Sequence, residues 1–162
     1  MNPKIEKAFN DHLNAEMFSY YLYLSMANCF TAKNLDGMAK WMRAQAEEER
    51  GHAMKFLDFI HLRGGRVTLQ QIGQPQLDWA SPLEAFQQAY NHELEISKRI
   101  NALVDLANAE NDHAVANFLQ WFVSEQVEEE ANALAVVDTL KMVGENVMGI
   151  LTMDGRLGQR AG

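Results

Sequence analysis

The stretch Ala46-Glu47-Glu48-Glu49-Arg50-Gly51-His52-Ala53 carries two potential metal ligands, Glu49 and His52, three residues apart. Both lie on an apolar stripe whose alternating spacing of three and four residues is typical of the buried face of a helix. The members of this stripe are Met38, Met42, Gln45, Glu49, His52, Phe56 and Phe59. Side chains three apart on a helix share one face, with β-carbons about 5–6 Å apart, so one ion can contact both. The stretch therefore predicts a long helix that carries a polar pair into the core of a helical bundle.

This polar pattern occurs twice in the chain. The repeat consists of Glu16, Glu49 and His52 in the first half and Glu93, Gln126 and Glu129 in the second half. Within each half the first two members stand 33 residues apart, and a shift of 77 residues relates the two halves. Each member lies on the apolar stripe of its own helix, at a similar depth. Buried charges cost several kcal/mol apiece unless they are paired, so we expect metal cations among these carboxylates.

Residues that break helices are sparse, which favours long helices. The only prolines are Pro3, Pro75 and Pro82, and proline disrupts a helix interior more than any other residue. Capping and breaking signals give the expected helices, which span residues 3–33, from the N-cap Asp36 to Gly64, from the N-cap Ser81 to 107, and 113–143. The remaining residues, 145–162, are expected to form a short fifth helix and a tail.

The link between the second and third predicted helices decides the topology. Short breaks after the first and third helices force antiparallel neighbours, but the link of residues 66–80 is long for a compact bundle. Its fifteen residues can extend about 50 Å, whereas a helix of 28 residues is about 42 Å long. The link can therefore cross the bundle. We predict one all-α domain over residues 1–162: an up-down-down-up four-helix bundle, residues 3–143, with a short C-terminal fifth helix.

The composition excludes several classes of protein. A formal charge of −8, from 22 acidic and 14 basic residues, disfavours binding to nucleic acid or to an anionic membrane. Cys29 is the only cysteine, which excludes a disulfide framework and a thiolate metal site within one chain. The N-terminal residues lack the basic start and apolar run of a secretory signal, and no apolar run approaches about 18 residues. A soluble, cytoplasmic protein is the expectation.

The predicted ligands are mostly carboxylate oxygens, with a single imidazole from His52. Three other histidines, His61, His92 and His113, are interpreted as surface residues. Structural zinc normally takes thiolates and imidazoles, whereas this ligand set suits Fe(II) or Mn(II). A carboxylate has two oxygens and can bridge two ions, which gives Glu49 a place between two metals. Because two bridged, redox-active ions can each donate an electron to O2 or peroxide, iron is the preferred metal.

Two runs of the sequence resemble a known family. The run 46–53 quoted above and the run Glu125-Gln126-Val127-Glu128-Glu129-Glu130, together with Glu16, Tyr23 and Glu93, resemble the bacterial non-haem ferritins. The similarity extends over nearly the whole chain. It implies a ferritin-like bundle whose copies assemble into a hollow cage of 24 subunits. It also implies that the protein oxidises Fe(II) with O2 or H2O2 and stores the iron as a ferric oxyhydroxide mineral.

The resemblance also implies roles for individual residues. The first iron would be held by Glu16, Glu49 and His52. The second would be held by Glu49, Glu93 and Glu129, with Gln126 beside the pair. A third iron site would use Glu48, Glu125 and Glu128, for which a solvated acidic face is an equally valid interpretation. Tyr23 matches a tyrosine beside the di-iron centre, although a core tyrosine with a hydrogen-bonded hydroxyl would look the same.

Related families fit the sequence less well. Bacterioferritins carry a second Glu-x-x-His unit and a haem-ligating Met after the bridging Glu, where this chain has Gln126-x-x-Glu129 and Arg50, so we expect no haem. Rubrerythrins need a cysteine-ligated iron domain, which a single cysteine, Cys29, cannot supply. The mini-ferritins that protect DNA share their ligands across a subunit interface and often have basic tails. The complete ligand set within one chain and the formal charge of −8 disagree with that family. Two other functions stay open: a di-iron oxidase or peroxidase that stores no mineral, and a structural bundle whose acidic residues only keep it soluble.

Two segments outside the predicted four-helix core indicate self-association. The stretch Val67-Thr68-Leu69 in the link could pair as a strand with a second copy, and a solvated loop is an equally valid interpretation. The apolar segment of residues 147–153 has no expected place in the core, and exposed apolar segments usually mark interfaces. We expect the first segment at a two-fold contact of a homo-oligomer and the second near a higher-order axis.

Overall fold

Five helices make up most of residues 1–160, the part of the chain that the computed structural model describes. They are α1 (Pro3–Ala32), α2 (Asp36–Leu62), α3 (Pro82–Ala109), α4 (His113–Val143) and α5 (Val147–Leu157). The predicted all-α fold of four long helices and a short fifth helix is confirmed. None of these helices is long and apolar enough to span a bilayer. Residues 161–162 of the predicted tail lie outside the described residues, and both the single-domain assignment and the cytoplasmic location stay predictions.

Side-chain caps begin four of the five helices, as local sequence rules require. The hydroxyl of Ser81 accepts a hydrogen bond from a backbone N–H in the first turn of α3, and Pro82 follows at the first helical position. Asn2, Asp112 and Asn146 cap α1, α4 and α5 in the same manner. These contacts satisfy N–H groups that have no partner within their own helix.

The start of α2 differs from the prediction. Asp36 is the first residue of the helix rather than its N-cap, and the N-cap, Leu35, makes no side-chain hydrogen bond. Asp154 of α5 supplies the missing acceptor, because its Oδ1 accepts from the N–H of Met38 at 2.8 Å. Gly37 makes this approach possible, since a β-carbon there would lie 1.8 Å from the carbonyl oxygen of Asp154. The N-terminus of α2 is therefore completed by α5.

Contacts between helices establish their directions. Along α1 and α3, Phe30 packs on Phe86 with ring centroids 5.8 Å apart, and Tyr23 bonds to Glu93. A later residue of one helix thus meets an earlier residue of the other, so the two helices are antiparallel. The same relation between α2 and α4 is given by the pairs Gln45–Glu129 and Arg63–Asp112. The predicted up-down-down-up topology is confirmed, and the link of residues 63–81 returns the chain along the bundle.

The apolar core is divided into two clusters. One cluster lies towards the end where α5 docks, and its members include Met26, Phe30, Met42, Phe86 and Leu140. The other lies towards the opposite end, and its members include Phe9, Phe56, Ile100, Leu119 and Phe122. All of these side chains are at most 2 % exposed. The band between the two clusters is where the bundle buries its polar residues.

The segment of residues 147–153 lies only partly outside the core. Met153 and, beyond the segment, Leu157 are 5 % and 7 % exposed, and both pack into the cluster beside the start of α2. The expectation that the segment has no place in the core is therefore wrong for Met153. Val147 and Met148, on the other side of α5, are 67 % and 70 % exposed, and this face stays available for contacts with another chain.

The stretch Val67-Thr68-Leu69 forms no strand within the described residues 1–160. The N–H of Thr68 donates to Oδ1 of Asn10 at 2.6 Å, which fixes this part of the link against α1. Leu69 is 75 % exposed. Pairing of this stretch with a second copy stays a prediction.

Candidate metal centre

Six polar side chains from four helices form a buried layer between the two apolar clusters. They are Glu16 of α1, Glu49 and His52 of α2, Glu93 of α3, and Gln126 and Glu129 of α4, each at most 5 % exposed. They replace apolar residues on the inward stripes of their helices, so helical periodicity turns them into the core. No lysine or arginine is buried within residues 1–160. The four buried carboxylates therefore have no lysine or arginine partner inside the layer, although buried carboxylates need positive charge nearby.

Three members of the layer form a compact group. One ligand atom from each of Glu16, Glu49 and His52 lies within 4.8 Å of the other two. Glu16 Oε2, Glu49 Oε2 and His52 Nδ1 are buried and have no hydrogen-bond partner among residues 1–160. The last two atoms lie 3.4 Å apart. Unpaired buried polar atoms are rare in folded proteins. Their convergence here, with two oxygens and one imidazole nitrogen, fits a divalent cation such as Fe(II).

Glu93 lies in the same layer but has protein partners of its own. The Tyr23 hydroxyl donates to Glu93 Oε1, and Gln126 Nε2 donates to Glu93 Oε2 at 3.2 Å. Among residues 1–160, Glu93 joins neither of the two compact groups of potential ligands. Both donors hold the carboxylate in a fixed orientation, and a metal ion there would compete with at least one of them.

A residue without a predicted role connects the two sides of the layer. Gln45, which lies one turn before Glu49 and is 1 % exposed, donates from Nε2 to Glu49 Oε1 at 3.1 Å and to Glu129 Oε2 at 2.7 Å. Its Oε1 accepts a hydrogen bond from Arg160 at 3.0 Å. The inward position of Gln45 on the stripe of α2 was the signal that could have identified it.

Burial changes the protonation of the centre. It raises the pKa of Glu49 and of Glu93 to about 8 and the pKa of Glu129 to about 7, and nearby carboxylates add to each rise. Burial alone would lower the pKa of His52, but the Glu49 and Glu16 carboxylates raise it to about 9. At neutral pH the centre therefore holds protons at positions where a metal ion would supply the positive charge.

His12 and His92 lie beside the layer. His12 is 2 % exposed, and its Nε2 lies 2.8 Å from Glu16 Oε1. Burial would raise the pKa of Glu16, but the charge of His12 and this hydrogen bond lower it. The interpretation of His92 as a surface residue is wrong: it is half-buried, and its Nε2 lies 2.7 Å from the hydroxyl of Ser19. Ser19 lies three residues after Glu16 on the same face of α1, and this spacing could have indicated a polar contact at the level of the layer.

Known proteins share this arrangement of helices. A family model, described as the ferritin-like domain, matches residues 6–143. The chain belongs to the ferritin family. A relative from Bacteroides fragilis named bacterial non-heme ferritin is 44 % identical over 160 residues, which are 99 % of each chain. A relative of the same name from Campylobacter jejuni is 38 % identical over 154 residues, 95 % of this chain and 92 % of the relative.

A solved structure has nearly the same backbone fold as this ferritin. It is described as a novel open pore ferritin from the hyperthermophilic archaeon Archaeoglobus fulgidus, and it matches with a TM-score of 0.98 and 48 % identity over 99 % of each chain. The resemblance to the bacterial non-haem ferritins and the ferritin-like fold, both predicted from the sequence, are therefore confirmed.

The three residues predicted for a third iron site of this ferritin lie in different surroundings. Glu48 is half-buried and pairs with Arg160 at 2.6 Å. Glu125 is half-buried and forms a second compact group with His52 and Glu129, with ligand atoms within 4.8 Å of one another. Glu128 is exposed. The three do not form a compact group of their own among the described residues, and the third site stays a prediction.

Proposed function

We propose that this ferritin stores iron: each chain oxidises Fe(II) to Fe(III) at a di-iron centre within its own bundle, and a cage of identical chains retains the product as ferric oxyhydroxide. The observation that carries this proposal is the convergence of unpartnered, buried ligand atoms from Glu16, Glu49 and His52. A structural bundle has no use for such atoms, because each lowers its stability. The bundle without metal, weighed above, is therefore disfavoured.

The proposed ligand roles rest on the geometry of the layer for the first ion and on the family resemblance for the second. Glu16, Glu49 and His52 would bind one Fe(II), since their free atoms already lie together. Glu93 and Glu129 would bind the second, with Gln126 beside it. Glu49 is the suitable bridge because it occupies the middle of α2 within the layer and because a carboxylate offers one oxygen to each ion. Gln45 would release an oxygen of Glu49 or Glu129 as the second ion binds.

Charge balance supports a pair of divalent substrate ions. The layer contains four carboxylates, so two Fe(II) ions neutralise it once the protons held at neutral pH have left. Each Fe(II) then gives one electron to O2 or H2O2. Oxidation adds one positive charge per ion, which the layer can no longer balance, and this favours release of Fe(III) towards nearby acidic groups. Glu125 offers such a group, because its carboxylate lies within 4.8 Å of ligand atoms of His52 and Glu129. Glu128, exposed on the same helix, offers another at the surface.

Assembly into a cage of about 24 subunits rests on similarity and on exposed apolar side chains. The relatives named above are ferritins that match over almost their whole length. Val147, Met148 and Leu151 of α5 are 67 %, 70 % and 49 % exposed. An exposed apolar face of this kind on a chain of formal charge −8 suits contact with further copies.

Aerobic addition of Fe(II) to metal-free protein tests the proposal. We expect a fast rise of ferric absorbance that saturates at about two Fe(II) per chain, followed by slower amber mineral growth. Glu49→Gln, which removes the bridging charge, should abolish the fast phase. Glu47→Gln is the matched control because Glu47 is exposed and pairs with Arg50 at the surface, and it should retain the fast phase.

Sedimentation of the iron-free protein separates storage from its alternatives. We expect a single large species near the mass of 24 chains of 18.4 kDa. A monomer or dimer that still oxidises Fe(II) rapidly would contradict storage and leave the di-iron oxidase. A protein with no fast oxidation in any assembly state would contradict the proposal as a whole.

A further inference from the structure

Arg160, three residues beyond the end of α5, reaches back to the metal centre. Its Nη2 donates to Glu48 Oε2 at 2.6 Å and its Nη1 donates to Gln45 Oε1 at 3.0 Å. Its guanidinium also stacks over Trp41, with Cζ 4.5 Å from the ring centroid. The Arg160 side chain is only 19 % exposed. Three contacts therefore fix a guanidinium at the edge of a layer in which, among residues 1–160, no lysine or arginine is buried.

The contact with Gln45 determines which way its amide faces. A carboxamide has one acceptor oxygen and one donor nitrogen. Because Arg160 has only donors, it must take the Gln45 oxygen, and the Gln45 nitrogen must then face Glu49 and Glu129. The distances of 3.1 Å and 2.7 Å from this nitrogen to the two carboxylates agree with that orientation. Arg160 thus acts on two predicted iron ligands through one intervening side chain.

The contact with Glu48 has a separate consequence. Glu48 is one of the residues predicted for a third iron site, and its carboxylate is paired with a guanidinium at hydrogen-bond distance. An arginine side chain keeps its positive charge at any physiological pH, so it competes directly with a metal cation for this carboxylate. An open cleft of about 430 Å³ adjoins the pair and is lined by Lys40, Arg43 and Glu47 among others. A metal ion can therefore reach Glu48 from solvent once Arg160 has moved.

We propose that Arg160 is a positioning residue of the metal centre, which holds the Gln45 amide against Glu49 and Glu129 and occupies Glu48 in place of a third metal ion. The segment after α5 then sets the number of metal ions that each chain binds. This inference rests on the proposed di-iron function, because it presupposes a pair of ions beside Gln45. When Arg160 is removed, Glu48 becomes free to bind a cation and the Gln45 oxygen can turn towards that cation as a further ligand.

Equilibrium dialysis against Co²⁺, followed by metal analysis, tests the proposal on the assembled, full-length protein. We expect about two Co²⁺ per chain for the parent protein and a third for Arg160→Leu. The double variant Arg160→Leu with Glu48→Gln should return to the parent value. Arg156→Leu is the matched control because Arg156 is an exposed arginine on α5, and it should leave the parent value unchanged.

Arg160→Lys provides a second, milder test. A single ammonium cannot bond both Gln45 and Glu48 in the two-pronged manner of a guanidinium, so a third Co²⁺ should bind, at least tenfold more weakly than in Arg160→Leu. A parent protein that already binds three Co²⁺ would overturn the proposal, and so would two Co²⁺ in both Arg160 variants. A parent protein that binds no Co²⁺ would instead overturn the di-iron function, which keeps the two failures distinct.

Discussion

Metal binding to this centre should release protons, in a number set by its raised pKa values. Ligands must lose their protons before they bind a cation. The pKa values of about 8 for Glu49 and Glu93, about 7 for Glu129 and about 9 for His52 mean that most of these groups are protonated at pH 7. Glu49 and His52 titrate as a coupled pair, because the charge of Glu49 is a main cause of the raised His52 pKa. The combined occupancy is therefore about two to three protons per chain at pH 7 and about one at pH 8.5. Filling the centre should release these protons.

Titration of metal-free protein with Zn²⁺ in a weakly buffered solution, with a pH indicator or a pH-stat, measures this release. We expect about two to three protons per chain at pH 7 and about one at pH 8.5. The fall with pH matters as much as the amount, because it identifies groups that titrate between these two values. Release of less than about one proton at pH 7, or equal release at both pH values, would contradict the raised pKa values, since the carboxylates would then be ionised before metal arrives.

Three further predictions concern stability. Gly37→Ala should destabilise the protein by about 1–3 kcal/mol in thermal unfolding, because the new β-carbon would lie 1.8 Å from the Asp154 carbonyl oxygen. Gly51→Ala has open space around the new β-carbon and should stabilise the protein by about 0.5–1 kcal/mol. Equal effects of the two substitutions would contradict the docking of α5 on α2. His12→Leu should lower the melting temperature and weaken Zn²⁺ binding, since it leaves Glu16 Oε1 unpaired at a cost of about 1–3 kcal/mol. His12→Gln keeps a hydrogen-bond donor and should restore both properties. Failure of this rescue would show that only the shape of the His12 side chain matters. Metal-free protein should melt roughly several degrees lower at pH 8.5 than at pH 6. A group whose pKa is raised on folding stabilises the protein below its unfolded pKa, and this contribution is lost as pH rises through the folded pKa values of about 7 to 9. A higher melting temperature at pH 8.5 would contradict these pKa shifts.

Periodicity was sufficient to place the polar layer. A helix with one apolar stripe has only one face to bury, so a glutamate at the centre of that stripe must enter the core with it. This reasoning placed Glu16, Glu49, Glu93 and Glu129 on inward faces, and the structure buries all four. The breaks between stripes located the five helices for the same reason, because capping residues and glycines act on the chain next to them.

Contacts between residues far apart in sequence were not predictable in this way. Asp36 has the local properties of an N-cap, yet the acceptor at the start of α2 comes from Asp154, 116 residues beyond Met38. The pairing of Arg160 with Glu48, 112 residues apart, is a contact of the same kind. Local rules describe a residue and its neighbours within a turn or two, whereas such contacts depend on how α5 packs against α2.

Anomalous X-ray diffraction from crystals soaked in Zn²⁺ shows directly whether the buried layer binds a pair of metal ions. We predict two anomalous peaks inside each bundle, one in contact with Glu16 and His52 and one beside Glu93 and Glu129, with the Glu49 carboxylate touching both. Crystals with no peak in the layer, or with Zn²⁺ bound only at exposed acidic residues such as Glu128, would show that the layer does not hold the pair.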